Sequence, residues 1–94
     1  MNLTFEWDEE KSQDNLQKHS VSFEEAKTVF GDLLSITIAD RHHSTDEHRF
    51  IDIGMSNQQR LLIVVYSKRK SNIRIISCRE ATTLERKVYE DYGI

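Results

Sequence analysis

The chain has 94 residues, of which 37% are hydrophobic and 31% charged, and its formal net charge is −3. That length suits one domain over residues 1–94 with a modest core, and no apolar run approaches the roughly 20 residues of a membrane span. The lone Cys78 excludes an internal disulfide, and the acidic opening MNLTFEWDEE does not read as a secretory or transit leader, so the cytoplasm is the expected compartment.

In chain order, LTFEW (residues 3–7) alternates Leu3, Phe5 and Trp7 on one face and predicts a short half-buried strand. Asp8 then reads as a helix N-cap, with Glu9 and Glu10 in the first turn, where carboxylates suit the dipole. This helix should run to about Lys18. Leu16 is its only large aliphatic residue, so the face it buries is narrow, while Lys11, Asn15 and Lys18 share one stripe. A short elbow follows. Ser22 and Glu25 then form an S-x-x-E capping box, opening a second helix from Phe23 to Phe30 that Gly31 closes.

From there the period changes to two. LLSITIAD (33–40), RFIDIGMS (49–56), RLLIVVYSK (60–68) and NIRIISC (72–78) predict four strands, with NQQ and RKSN at tight turns, hence an antiparallel meander. LLIVVY lacks polar alternation and should be the central strand, covered on both faces. In NIRIISC, alternation groups Ile73 with Ile75 and Ser77, and Arg74 with Ile76 and Cys78. The last segment, REATTLERKVYEDYGI, is helical, with Leu84, Val88 and Tyr92 as its apolar face. The fold class is α+β, helices packed on an antiparallel meander.

Charge is unevenly spread. Residues 1–47 hold eleven Asp or Glu against four Lys or Arg, a net of −7, and residues 48–94 hold five against nine, a net of +4. A cationic C-terminal half suits phosphates or an acidic protein, although the two halves could equally neutralise each other in the fold.

Glycine-rich phosphate loops, CxxC pairs and HExxH are all missing. The segment DRHHSTDEHRF gathers His42, His43, Asp46, Glu47 and His48, residue types that ligate zinc. Three or four must converge for a site, which this spacing does not enforce, so a solvated loop is the reading and no metal is assigned. Cys78, within a strand, reads as a small buried side chain. Arg49, Arg60 and Arg79 stand at strand ends, and a meander brings Arg60 and Arg79 to one end of adjacent strands. Strand-end arginines serve either as structural ion pairs or as planar forks for phosphate.

FEWDEEKSQDNLQKHSVSFEEA, DRHHSTDEHRF, IGMSNQQRLLIVVYS and IRIISCREATTLERKVYE, in that order over nearly the whole chain, resemble the BrnT family. Phe5, Trp7, Asp8, Lys11, Asn15, Lys18, His19, Val21, Ser22, Phe23 and Ala26 match its early block. Arg74, Ile75, Ile76, Ser77, Arg79, Ala81, Glu85, Arg86 and Tyr89 match its late one. Ser20 replaces the usual glycine, Leu33 a common proline and Cys78 the usual alanine. The resemblance implies a ribonuclease toxin of a type II toxin–antitoxin module with a RelE-like fold, inhibited by a BrnA-like antitoxin through which alone it meets DNA. No cofactor and no membrane association are expected.

Metal-free RNA cleavage needs a base, an acid and fixed positive charge at the phosphate. On this reading Arg60 and Arg79 clamp the phosphate, and Lys18 and His19 on the elbow face the same cleft. His43 or Glu47 is the alternative proton carrier. His19 could instead complement the dipole at the end of its helix. A catalytically inert module that binds protein or nucleic acid is the alternative function.

Overall fold

The structure, a computed structural model, describes residues 2–41 and 48–92. Strands β1 (Thr4–Glu6), β2 (Ile36–Ala39), β3 (His48–Met55), β4 (Leu61–Arg69) and β5 (Asn72–Glu80) form one sheet in the order β1-β5-β4-β3-β2. β2 to β5 are the antiparallel meander expected, and β1 joins β5 in parallel, so the sheet is mixed. Helices α1 (Glu9–His19) and α2 (Phe23–Lys27) precede β2, and α3 (Thr83–Tyr92) ends the described chain. No helix among the described residues is long and apolar enough to cross a membrane.

β4 lies centrally and divides the core by its own alternation. Leu62, Val64 and Tyr66 pack with Val21, Phe23, Ala26 and Val29, while Leu61 and Ile63 on the other face meet Ala81 and Tyr89 near α3. α2 and α3 therefore lie on opposite faces of the sheet.

Asp8 caps α1 by accepting from the Glu10 and Lys11 amides. Leu16, however, is 51% exposed, and the buried residue of α1 is Asn15. Its amide nitrogen donates to the carbonyls of Val21 and Cys78, and its oxygen accepts from the Cys78 amide. A polar lock, rather than an apolar stripe, fixes α1 to β5. α1 ends at Ser20, in the left-handed region at φ 58°, which favours the glycine that the family pattern places there.

The capping box at Ser22 is half made. The Ser22 hydroxyl accepts from the Glu25 amide, but the Glu25 carboxylate turns inward to Arg60 and Ser56. The second helix is shorter than expected, and Thr28–Gly31 tightens into a 3₁₀ turn. Gly31 does not take positive φ. Gly54 is the glycine that packing requires, since a Cβ there would stand 2.6 Å from Val29 Cγ1.

The alternation expected for β5 fails at one point. Tyr66 pairs with Ile75 and Val65 with Ser77, so Ile76 is a bulge. Beyond it the phase shifts, and Cys78 joins Ile73 and Ile75 in the α2-side core. The apolar stripe of α3 is also misplaced. Leu84, Val88 and Tyr92 are 73%, 38% and 75% exposed, and the helix instead turns Glu85 and Tyr89 inward. A true capping box sets this start: Thr82 Oγ1 accepts from the Glu85 amide and Glu85 Oε1 from the Thr82 amide. The Tyr89 hydroxyl then donates to Asp32 at 2.7 Å.

Candidate functional site

The elbow after α1 borders a shallow pocket of about 230 Å³, formed with the part of β5 beyond its pairing with β1 and lined by Lys11, Asp14, Asn15, Lys18, His19, Ile76 and Ser77. α1 places Lys18 and His19 in its last turn, where cationic side chains complement the dipole and remain exposed. Helical spacing brings Lys11 onto the same side as Lys18. The β5 bulge brings Ile76 and Ser77 to the pocket floor, a contribution that strict alternation could not reveal.

Arg60 reaches this elbow from behind. Its guanidinium donates to the Ser20 carbonyl at 3.1 Å, to Glu25 Oε2 through Nε at 2.9 Å and to Glu25 Oε1 through Nη2. Glu25 is 3% exposed and also accepts from the Ser56 hydroxyl at 2.7 Å. The Arg60 guanidinium holds the Glu25 carboxyl below its ordinary value despite its burial, and Glu25 in turn raises Arg60. Glu80 stands 3.7 Å from Arg60 on the outer side.

Arg79 does share that end of the sheet, but on the other face. It pairs in register with Ile63, and its guanidinium grips both Glu85 oxygens at 2.8 and 2.9 Å. The Arg79 fork pulls the Glu85 carboxyl down to about 2. The structure thus brings Lys18, His19 and Arg60 to one elbow and puts Arg79 across the sheet from Arg60. Arg79 lies two residues beyond Ser77 on the same strand face, about 7 Å along β5. His43 and Glu47, with His42 and Asp46, lie outside the described residues. Among the described residues no three His, Cys, Asp or Glu side chains gather as a metal site.

Cys78 is 1% exposed, and burial pushes its thiol up to about 12, which fits packing rather than nucleophilic chemistry. The pattern reading overlooked Asn15 as the lock between helix and sheet. Its signal was an asparagine at a helix position otherwise suited to an apolar residue.

Three comparisons bear on this arrangement. The family model described as the ribonuclease toxin BrnT of type II toxin–antitoxin systems matches residues 7–85. A crystal structure of the Brucella abortus ribonuclease toxin BrnT superposes with a TM-score of 0.66 at 24% identity, covering 87% of this chain and all of that one. That likeness concerns the fold. A comparison with curated protein sequences gave no match.

Proposed function

The chain belongs to the BrnT family of ribonuclease toxins of type II toxin–antitoxin systems, and from that premise we propose that it cleaves RNA without a metal ion and arrests growth until a BrnA-like antitoxin covers it. The setting is the cytoplasm, the fold RelE-like, and DNA is met only through the antitoxin. The observation that carries this reading is the elbow pocket, where Lys18 and His19 are exposed beside the Ser77 hydroxyl.

In the proposed reaction a base removes the proton of a 2′-hydroxyl, that oxygen attacks the adjacent phosphorus, and the bond to the 5′-oxygen breaks as an acid protonates it. Imidazole suits either proton transfer near neutral pH. Lys18, and Arg79 farther along the same edge, supply positive charge for the crowded phosphate. Arg60 acts as a positioning residue, tying the elbow to the sheet while neutralising Glu25. His43 and Glu47 remain the alternative proton carriers.

The second reading, an inert binding module, draws on the engagement of both Arg60 and Arg79 by carboxylates. Incubation of purified protein with RNA in excess EDTA separates the two. Cleavage is expected to persist in EDTA and to fall at least tenfold in Lys18→Ala and His19→Ala with unchanged melting temperatures. Intact RNA with folded native protein would establish the inert module. Loss on chelation with rescue by zinc would overturn metal independence.

A further inference from the structure

The face of the sheet that carries Arg79 ends, at the β4–β5 hairpin, in a second polar pocket. Its volume is about 150 Å³, and Glu6, Ser67, Arg69, Asn72 and Arg74 line it. Register explains the grouping: Ser67 pairs with Arg74, Arg69 with Asn72, and Arg74 with Glu6. Regular alternation along β4 puts Ile63, Val65, Ser67 and Arg69 on one face, so Arg79, opposite Ile63, and this pocket share that face.

The pocket differs in charge from the end of the sheet where the sequence pattern placed its arginines. Arg60 and Arg79 are each held by a carboxylate at hydrogen-bond distance. Arg69 is exposed and has no carboxylate partner among the described residues. Arg74 has only a 3.8 Å contact with Glu6, which also accepts from the Asn72 side-chain Nδ2 at 3.0 Å. Exposed Lys68 and Lys70 flank the turn, and Glu6 is the single acid in the pocket lining. Two guanidiniums, an amide and a hydroxyl around one opening form a donor set for a phosphate oxygen.

Between this pocket and Arg79 the face is apolar and only partly covered. Ile38, Ile51 and Val65 form one row across three strands, with Ile38 46% exposed. From Ile63 to Ser67 the sheet spans about 13 Å, the axial length of about four stacked nucleotides. We propose that the Arg69–Arg74 pocket holds a backbone phosphate of single-stranded RNA a few nucleotides from the one at the elbow, the bases lying against the Ile38–Ile51–Val65 row. This rests on the ribonuclease reading and extends it: the substrate is a strand several nucleotides long, running from the elbow past Arg79 to the hairpin end of the face that Arg79 and the pocket share.

The test uses the full chain and an Arg69→Glu/Arg74→Glu variant, with Arg69→Gln/Arg74→Gln as the milder form. Binding to a 2′-O-methyl RNA 12-mer, which cannot be cleaved, is read by fluorescence anisotropy across a salt series. Cleavage of an unmodified 12-mer and of a dinucleotide is read separately. The charge-reversed variant should bind the 12-mer at least tenfold more weakly, and its salt slope should fall by about 1.4, the value for two lost contacts on a single strand. Its dinucleotide cleavage and melting temperature should be unchanged. Native-like 12-mer affinity and slope would overturn the site. An RNA duplex bound as tightly, with the same arginine dependence, would overturn the single-strand assignment. Loss of antitoxin co-purification with RNA binding intact would give the pocket to the antitoxin instead. Native protein that cleaves neither substrate, yet binds the 12-mer through Arg69 and Arg74, would refute the ribonuclease reading and leave this site standing.

Discussion

Replacing Arg60 with alanine tests whether that side chain acts first through the fold. The change strips the Glu25 carboxylate of both of its guanidinium hydrogen bonds and leaves this buried group with only the Ser56 hydroxyl. Breaking a buried ion pair by removing one partner costs about 3–5 kcal/mol. A chain of this size has about 5–14 kcal/mol in all. The melting temperature should therefore fall by about 15–25 °C at pH 7. The deficit has a defined pH dependence. In the native chain Glu25 is held below its ordinary value, so its contribution is present above about pH 4.5 and fades as pH falls through the folded value. Without Arg60, burial raises the carboxyl instead, and the penalty present at pH 7 shrinks as the group protonates. Thermal melts followed by circular dichroism at pH 7 and pH 4.5 should show the gap between variant and native protein narrowing. A paired Glu25→Leu/Arg60→Met change should recover at least half of the loss, because it leaves no buried charge unpaired. An Arg60→Ala melting temperature within 3 °C of native, or an equal deficit at both pH values, would refute this account.

Four further outcomes follow from individual contacts. Ser20→Gly should stabilise by about 1 kcal/mol, raising the melting temperature, because the position holds φ 58° at the end of α1. Asn15→Ala should cost about 2–4 kcal/mol in urea unfolding, since it orphans the buried Val21 and Cys78 carbonyls and the Cys78 amide. Glu85→Gln should cost about 1 kcal/mol at pH 7. Because Arg79 depresses Glu85 to about 2, that difference should vanish as pH falls from about 4.5 towards 2, and a difference constant across that range in urea titrations would contradict the pairing. Cys78 should resist iodoacetamide at pH 8 in the native protein and react in urea, as its thiol is pushed up to about 12 by burial.

Local chemistry alone determined much of this protein. The strands between Ile36 and Glu80, the all-apolar run of β4, the Asp8 cap and the tight turns are near-neighbour effects, and each is present in the structure, with the period of two broken once, in β5. The ordered motifs that resemble BrnT were likewise legible, because a family pattern is a property of sequence. What escaped depended on partners distant in the chain. Glu25 follows Ser22 by three residues and so reads as a cap, yet Arg60, 35 residues away, offers it a stronger charge-assisted bond and draws it inward. Leu84, Val88 and Tyr92 have helical spacing, but the bonds Glu85 makes to Arg79 and Tyr89 to Asp32 rotate α3 so that this stripe faces outward. One bulge at Ile76 moved Cys78 into the core and Ser77 to the elbow pocket, and no period can announce an inserted residue. Strand order alone brought Arg60 and Arg79 to one end of the sheet. Only the assembled sheet, with a different helix on each side, put them on opposite faces and left Arg69 without a carboxylate partner among the described residues.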